Sequence, residues 1–165
     1  MTTKTLSKTA HKIISRHEIG DVWFNSAALH HSLHSAIAYK PGDIISNFSS
    51  GTSQNYATYL TVQTGTDKHI TLEPVYLQYI NHSCNPNVFF DTTPMQVVCL
   101  RPIQPGDELV FFYPSTEWEM AQPFICNCGN ENCLKFIKGA AYLDPESLGK
   151  YRLTDFIAQQ AKQNK

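Results

Sequence analysis

The chain has 165 residues, of which 42% are hydrophobic and 16% are charged, and its formal net charge is −1. Its length favours one domain with one hydrophobic core, and its composition is ordinary for a soluble globular protein. Because basic and acidic residues nearly balance, no overall field would draw the chain to nucleic acid or to an anionic membrane, and we expect it to bind neither directly.

The sequence also lacks the signals of membrane insertion and export. No run of about 18 apolar residues is present, so no transmembrane helix is expected. Residues 1–14 contain neither the apolar core nor the small-residue cleavage site of a signal peptide. We therefore expect a cytoplasmic protein, or a nuclear one if the source is eukaryotic. Five cysteines, an odd number, in such a compartment argue against a disulfide framework.

Short strands separated by turns dominate the elements predicted up to residue 113. Residues 1–20 are polar and irregular and are expected to form an N-terminal extension that is either partly disordered or a short strand. The predicted strands are 22–24, 35–39, 44–48, 59–63, 69–72, 95–100 and 108–113. A turn at residues 40–43, where Pro fixes φ and Gly permits the corner, predicts that 35–39 and 44–48 form a hairpin. A second hairpin joins 59–63 to 69–72, so the domain is predicted to be mostly β.

Helical signals are sparse and lie mainly near the C-terminus. Residues 74–80 predict one short turn or helix. Asp144 is a good N-cap with Pro145 at the first helical position, and Thr154 is a candidate cap for a helix over 155–162. Gly149 is predicted to separate these two helices, which gives a helical tail.

Three cysteines lie within eight residues, in the sequence Cys126-Asn-Cys128-Gly-Asn-Glu-Asn-Cys133. Structural zinc takes four tetrahedral ligands, with thiolate strongly favoured, so a fourth ligand is needed. Cys84, in a polar loop, is a better candidate than Cys99, which lies in an apolar strand and is expected to be a buried, free thiol. The alternative is a group of reduced surface thiols that binds no metal.

Two further features are ambiguous when taken singly. The polar segment 81–87 (Asn-His-Ser-Cys-Asn-Pro-Asn) is compatible with an ordinary turn, and Tyr113 is compatible with a core tyrosine. Their order is more specific: Asn-His-Ser-Cys, then a segment 101–109 with Pro-Gly-Asp-Glu-Leu, then Tyr113, then the cysteine triplet. In this order the sequence resembles the SET-domain protein lysine methyltransferases with their cysteine-rich post-SET segment, over about residues 33–136.

The resemblance implies a fold, a domain order and an activity. The fold is a SET-type arrangement of short β-sheets with a pseudoknot-like crossing, in which the Asn-His-Ser-Cys segment passes beneath the segment that carries the tyrosine. The implied order is a SET domain over 21–123, a post-SET zinc segment over 124–138 and the helical tail over 139–165. The implied activity is S-adenosylmethionine-dependent methylation of lysine side chains on a protein or peptide substrate.

The resemblance also assigns roles to individual residues. Tyr113 is implied to be the active-site tyrosine. The implied cofactor contacts are Ser32, Leu33, His34, Asn81, His82 and Phe136. The implied walls of the substrate channel are Phe48, Phe111 and Phe112. The implied zinc ligands are Cys84, Cys126, Cys128 and Cys133. An apolar aromatic channel suits the reaction, because desolvation lowers the pKa of lysine and the attacking amine must be neutral.

The sequence departs from the family pattern at the place of its usual Gly-x-Gly, which is His30-His31-Ser32 here. A Cβ at these positions is expected to crowd the methionine part of the cofactor. Phe48 stands where a tyrosine is common, and Gln78 where an arginine is common. These departures support the alternative of a catalytically weak or inactive SET-fold binding or regulatory module. We interpret the cluster of His30, His31 and His34 as a polar rim of the cofactor cleft or as surface residues, rather than as a metal site.

Overall fold

The computed structural model describes residues 10–164, so the first nine residues of the predicted N-terminal extension lie outside it. The strands are β1 (His11–Arg16), β2 (Gly20–Asn25), β3 (His30–Ser35), β4 (Ile44–Asn47), β5 (Ser49–Gln54), β6 (Val62–Gly65), β7 (Lys68–Glu73), β8 (Asn81–His82), β9 (Val88–Asp91), β10 (Gln96–Cys99), β11 (Val110–Phe111), β12 (Phe124–Ile125) and β13 (Phe136–Ile137). The α-helices are α1 (Pro145–Leu148) and α2 (Asp155–Gln163), and 3-10 helices span Val75–Tyr79, Tyr113–Ser115 and Ala140–Tyr142. The fold is mostly β with few short helices, as predicted.

The first sheet is antiparallel and has the order β1-β2-β3. Its first strand lies within the predicted N-terminal extension and pairs with β2 from His11 opposite Asn25 to Arg16 opposite Asp21. A Cβ at Gly20 would overlap the carbonyl oxygen of His34, so the close approach of β2 to the end of β3 requires glycine there.

The second sheet has the order β4-β10-β9, and it corrects one prediction. The turn at residues 40–43 forms, with the Asp43 N–H donating to the Lys40 carbonyl at 3.0 Å. The hairpin of 35–39 and 44–48 does not form, because β4 pairs with β10 and Tyr39 bridges to Ile103. A turn sequence determines only where the chain reverses direction. The pairing partner of an apolar strand depends on which strand, often distant in sequence, packs beside it in the core.

The third sheet has the order β5-β7-β6 and lies beside the site described below. Its β6–β7 pairing confirms the second predicted hairpin, although the strand begins at Val62 rather than at residue 59. The neighbouring strand β5 was not predicted, since its sequence Ser-Ser-Gly-Thr-Ser-Gln has no apolar alternation.

A parallel pairing of β8 with β11 brings the segment 81–87 alongside residues 108–111, the two segments for which the crossing is predicted. The Ser83 N–H donates to the Phe111 carbonyl at 2.9 Å. The Asn87 side chain donates to the Glu108 carbonyl at 2.8 Å and accepts from the Val110 N–H at 2.9 Å. The polar side chain of Asn87 therefore extends the connection beyond the two residue pairs of the β8–β11 sheet.

The C-terminal tail forms the two predicted helices. Asp144 caps α1 by accepting from the Ser147 N–H at 2.8 Å, and Thr154 caps α2 by accepting from the Ile157 N–H at 3.3 Å. Ile157 is fully buried in a small apolar cluster with Ala140 and Leu148, and Trp118, which precedes the tail, packs against this cluster and attaches the tail to the domain. Within residues 10–164 no helix has the length and apolar character needed to cross a membrane.

Candidate active site and metal centre

Two cavities of different character meet at Tyr113 and Phe124, which line both of them. The first, which we call the apolar groove, has a volume of about 350 Å³. Its walls include Val62, Leu72, Leu77, Ile80, Phe111 and Met120. The second, which we call the polar cavity, has a volume of about 500 Å³. Its walls include His30, Asn81, His82, Ser83, Glu108 and Asn127. Tyr113 thus stands where a polar ligand and an apolar chain would meet.

Tyr113 is the first residue of a 3-10 helix, not the end of a strand, because Pro114 follows it. Its ring packs at centroid distances of 4.7 Å from Phe111, 5.2 Å from His82 and 5.8 Å from Phe124. Burial, assisted by the charge of Glu108, raises the pKa of the Tyr113 hydroxyl to about 12. This hydroxyl is therefore a neutral hydrogen-bonding group at physiological pH and not a base.

His82 connects Tyr113 with the cysteines. Its Nδ1 accepts a hydrogen bond from the Tyr113 N–H at 3.1 Å, so in the neutral ring the proton is on Nε2. Nε2 lies 3.4 Å from Cys84 Sγ and donates to it. Burial lowers the pKa of His82 to about 4, which keeps the imidazole neutral. No cationic ring therefore stands at this wall of the polar cavity.

Asn81 fixes another wall of the polar cavity. Its side-chain nitrogen lies 2.7 Å from the His31 carbonyl oxygen, 3.0 Å from His30 Nε2 and 3.2 Å from Glu108 Oε1. Of the residues predicted to contact the cofactor, Asn81 and His82 are thus brought together in one cavity. His30 lines the cavity with them, in agreement with its interpretation as part of a polar rim.

The other predicted cofactor residues lie elsewhere. Leu33 is fully buried in the core. The Ser32 hydroxyl lies 2.9 Å from His34 Nε2, and His34 Nδ1 donates to the Gly106 carbonyl at 3.0 Å, so both side chains bond within the protein. Phe136 has an exposed fraction of 46% and lines a separate surface cavity, with Lys138 Nζ 4.8 Å from its ring centroid.

The three phenylalanines predicted for the substrate channel occupy three environments. Phe111 lines the apolar groove beside Tyr113. Phe48 lies in the core, where its ring packs on Phe90 at a centroid distance of 5.5 Å. Phe112 faces away from the groove and stacks on Tyr151 at 3.6 Å with an interplanar angle of 7°. Only Phe111 of the three is therefore in contact with the groove.

The four predicted zinc ligands come together. The Sγ atoms of Cys84, Cys126, Cys128 and Cys133 all lie within 4.8 Å of one another, and those of Cys84 and Cys126 are 3.9 Å apart. Tetrahedral zinc with bonds of about 2.3 Å needs sulfur atoms about 3.8 Å apart, so the arrangement fits the ion. Cys99 is buried away from this group and donates to the Arg101 carbonyl at 3.0 Å.

Four sulfur atoms packed this closely repel one another when they ionise, and a bound cation would relieve that repulsion. Burial and the neighbouring sulfur atoms raise the pKa of the Cys84 thiol, and burial raises that of Cys126 to about 11. Thiols in such a setting ionise when a divalent ion replaces their protons. The Leu134 N–H already points at Cys84 Sγ from 3.4 Å, as expected for a backbone donor that supports a thiolate.

Sequence reasoning missed two carboxyl groups in the cavities. Glu108 lines the polar cavity; it lies in the Pro-Gly-Asp-Glu-Leu motif, but no role was assigned to it. Glu117 lines the apolar groove, and its surroundings, Ser-Thr-Glu-Trp, carry no recognisable motif. Its position depends on packing against the distant strand β6, which no local signal in the sequence reveals.

Comparison with known proteins decides the family. The sequence profile of the SET domain family matches residues 7–114. This chain belongs to the SET domain family. Methyltransferase flvH of Aspergillus flavus is 41% identical over 128 residues, which cover 76% of this chain and 71% of that protein. The two proteins are thus similar over most of their lengths.

Other relatives of this SET domain are far longer than it is. The H3 lysine-36 specific histone-lysine N-methyltransferase of Candida albicans is 33% identical over 94 residues, covering 53% of this chain and 11% of the relative. The enzyme of the same description from Gibberella zeae is 41% identical over 70 residues, which cover 39% of this chain and 8% of that relative. The methyltransferase domain of human histone-lysine N-methyltransferase SETMAR superposes with a TM-score of 0.48 at 14% identity, covering 80% of this chain and 59% of that one. The family match and the methyltransferase relatives support a methyltransferase.

The polar cavity of this SET domain fits the methyl donor that the family implies. The side chains at the place of the expected Gly-x-Gly leave a cavity of about 500 Å³: the Ser32 hydroxyl is bonded to His34, and the His30 ring lies in the cavity wall, 3.0 Å from the Asn81 side chain. The cavity volume is within the range of about 300–1,000 Å³ common for small-molecule sites. The amide, imidazole and carboxylate groups that line it suit a polar zwitterion.

Proposed function

We propose that this SET domain transfers methyl groups from S-adenosylmethionine to lysine side chains of a protein or peptide substrate. The observation that carries the proposal is the position of Tyr113 at the junction of the polar cavity and the apolar groove. One cavity suits a polar methyl donor and the other suits the methylene chain of a lysine. The two reactants would then approach each other from opposite sides of one tyrosine hydroxyl.

The polar cavity would hold the methyl donor through Asn81, His82 and His30. When bound, the donor supplies an electrophilic methyl group on a positively charged sulfur. Because methyl transfer is an in-line displacement, the contribution of the protein is mainly positioning. The neutral His82 ring fixes the Tyr113 backbone through the bond to Nδ1, and so holds the tyrosine hydroxyl at the junction.

The apolar groove would bind the lysine side chain and promote loss of its proton. Aliphatic walls such as Leu77 and Ile80 disfavour an ammonium relative to an amine, because they offer no hydrogen-bond acceptors to replace water. The Tyr113 hydroxyl would accept or donate one hydrogen bond at the reacting nitrogen. It would thereby align the lone pair with the methyl group.

Zinc bound by the four cysteines would have a structural role. Cys126 and Cys128 line the polar cavity together with Asn127, so the metal would fix one wall of the donor site. The strands β12 and β13 pair over only two residues each, from Phe124 opposite Ile137 to Ile125 opposite Phe136. Such a short ladder depends on a metal for its stability.

The decisive experiment measures methyl transfer from tritiated S-adenosylmethionine to total protein of a cell extract, followed by mass spectrometry of the labelled band. We expect label on lysine of one or a few proteins, and recombinant histone H3 should be tested in parallel because relatives carry that specificity in their names. Label found only on small amines would contradict a protein substrate.

The substitution of the glycines by His30-His31-Ser32 favours a second candidate, a binding or regulatory module without turnover. Isothermal titration with S-adenosylmethionine separates the two. Binding without transfer supports the module, whereas binding with transfer supports the enzyme. Absence of binding would contradict the proposal that S-adenosylmethionine is the donor and that the polar cavity binds it.

We expect Phe111→Tyr to shift the products toward fewer methyl groups. Phe111 contacts Tyr113 and lines the apolar groove, and an added hydroxyl there would hold a water in space that a further methyl group needs. With phenylalanine the wall is apolar and aromatic, and a dimethyl- or trimethyl-ammonium fits by shape and by cation–π contact. Mass spectrometry of the labelled peptide gives the distribution.

The matched control is Phe112→Tyr, because Phe112 stacks on Tyr151 outside the groove and should leave the product distribution unchanged. A wild type that forms only monomethyl-lysine would show this explanation of product choice to be incorrect.

A further inference from the structure

Glu117 is a buried carboxyl group in the wall of the apolar groove. Its exposed fraction is 8%, and among the residues of 10–164 that line the groove no other is Asp, Glu, Lys, Arg or His. Burying a carboxylate is costly unless it has partners or a use. The contacts of the two carboxyl oxygens therefore indicate the role of Glu117.

The two oxygens of Glu117 have different surroundings. Oε1 accepts from the Gln63 N–H at 3.2 Å and from the Thr116 hydroxyl at 3.3 Å. Oε2 has no hydrogen-bond partner within residues 10–164, and it is not among the side-chain atoms that are both sealed from solvent and unpaired. One oxygen therefore fixes the side chain, and the other remains available to a molecule in the groove.

The backbone ties Glu117 to Tyr113. The Glu117 N–H donates to the Tyr113 carbonyl at 3.1 Å, so the acid follows the tyrosine by one helical turn, and both side chains line the groove. After burial and the charge of Glu108, the charge of Glu117 also raises the pKa of the Tyr113 hydroxyl. The charge of the Glu117 carboxylate thus influences the Tyr113 hydroxyl at the junction of the two cavities.

Few other titratable groups face Glu117 from the elements packed against it. From the preceding 3-10 helix (Tyr113–Ser115) the group is Tyr113. In the third sheet, His69 lies opposite Gln63, the residue whose N–H donates to Glu117, and burial lowers the pKa of the His69 ring. Beyond them, Tyr142 and Glu119 bond to each other at 3.2 Å on the exposed side. No lysine or arginine among the described residues lines the groove to neutralise the acid.

We propose that Glu117 is the catalytic proton acceptor that converts the incoming lysine ammonium into the neutral amine, an inference that rests on the proposed function. The N–H bond breaks, its electron pair stays on nitrogen as the lone pair that attacks the methyl group, and an Oε2–H bond forms. After the product leaves, the proton passes to solvent through the open groove.

The ionisation of Glu117 suits this task. Burial raises the pKa of its carboxyl group to about 8, although the bonds from Gln63 and Thr116 act in the opposite direction. A base works best when its pKa is close to the working pH, because it is then both available and strong enough. An entering ammonium would favour the ionised form further by its opposite charge.

The test variant is Glu117→Gln, which keeps an acceptor for Gln63 and Thr116 and replaces only the basic oxygen. Methyl transfer to total extract protein is measured between about pH 7.5 and pH 10. We expect the variant to be about 100-fold slower at the low end. The gap should shrink to a few-fold near pH 10, where the lysine amine becomes neutral without help.

A second measurement needs no turnover. Binding of n-butylammonium, which mimics a lysine side chain, is followed by NMR titration at about pH 8.5. We expect saturable binding to the wild type, at least about tenfold weaker binding to Glu117→Gln, and no change in Glu119→Gln, whose carboxylate is exposed two residues away. Equal binding to the wild type and Glu117→Gln, or no binding to the wild type, would overturn the proposal.

The possible failures are distinguishable. A rate deficit in Glu117→Gln that is the same at every pH would mean a structural role and overturn proton transfer while the proposed function stands. A wild type that transfers no methyl group at any pH would overturn the proposed function, and the catalytic role with it. Thermal melting of both variants shows whether the fold is intact.

Discussion

Tyr113→Phe should leave the fold intact and lower methyl transfer by at least ~100-fold, equivalent to roughly 2.7 kcal/mol. The change removes one hydroxyl at the junction of the two cavities. The ring contacts with Phe111, His82 and Phe124 and the backbone bond to His82 remain. Because the pKa of this hydroxyl is about 12, the loss reflects hydrogen bonding to the reactants and not the loss of a base.

Transfer to extract protein, measured at saturating S-adenosylmethionine, checks this expectation. Tyr79→Phe is the matched control, since its ring stacks on His31 at a centroid distance of 4.9 Å and lines neither cavity. Near-normal turnover by Tyr113→Phe would remove this residue from the active site.

The second large effect is expected at the metal centre. The purified protein should contain one zinc per chain, and Cys84→Ser should lose it. The melting temperature should then fall by roughly 10 °C, because the β12–β13 ladder has only two residue pairs and the metal ties it together. Residues 124–138 should exchange amide hydrogens first, since Cys84 is the ligand that anchors this segment to the domain.

Metal analysis with melting and hydrogen-exchange measurements tests this expectation. Cys99→Ser is the matched control, a buried thiol outside the centre that should retain full zinc. Stoichiometric zinc in Cys84→Ser would show that the fourth ligand is another group.

The parts of the site that the sequence predicts are those carried by local spacing. Three short motifs could be recognised from a few neighbouring residues each: the cysteine triplet, the Asn-His-Ser-Cys segment and the strand leading to Tyr113. The fold brings all three together around the polar cavity. The helix caps Asp144 and Thr154 are local in the same sense. Boundaries at residues 21, 124 and 139 remain predictions.

The parts that the sequence does not predict depend on partners far along the chain. Phe48 directly follows the short strand β4, and its packing on Phe90, 42 residues later, places it in the core and not in the groove. Phe136 lies close to the cysteines in sequence, yet its ring faces Lys138 on the surface. Glu117 looks like an ordinary exposed acid until Gln63, 54 residues earlier, encloses it.

The stack of Tyr151 on Phe112 has a consequence for the order in which parts of the protein fold during synthesis on the ribosome. The Tyr151 hydroxyl donates to the Cys84 carbonyl at 2.8 Å, so one late residue covers the neighbour of Tyr113 and also holds the loop that bears a cysteine ligand. Synthesis is vectorial, and domains fold as their segments emerge. The three sheets can therefore assemble while the tail is still in the exit tunnel, but the back of the active site is closed only after residue 151 has left it.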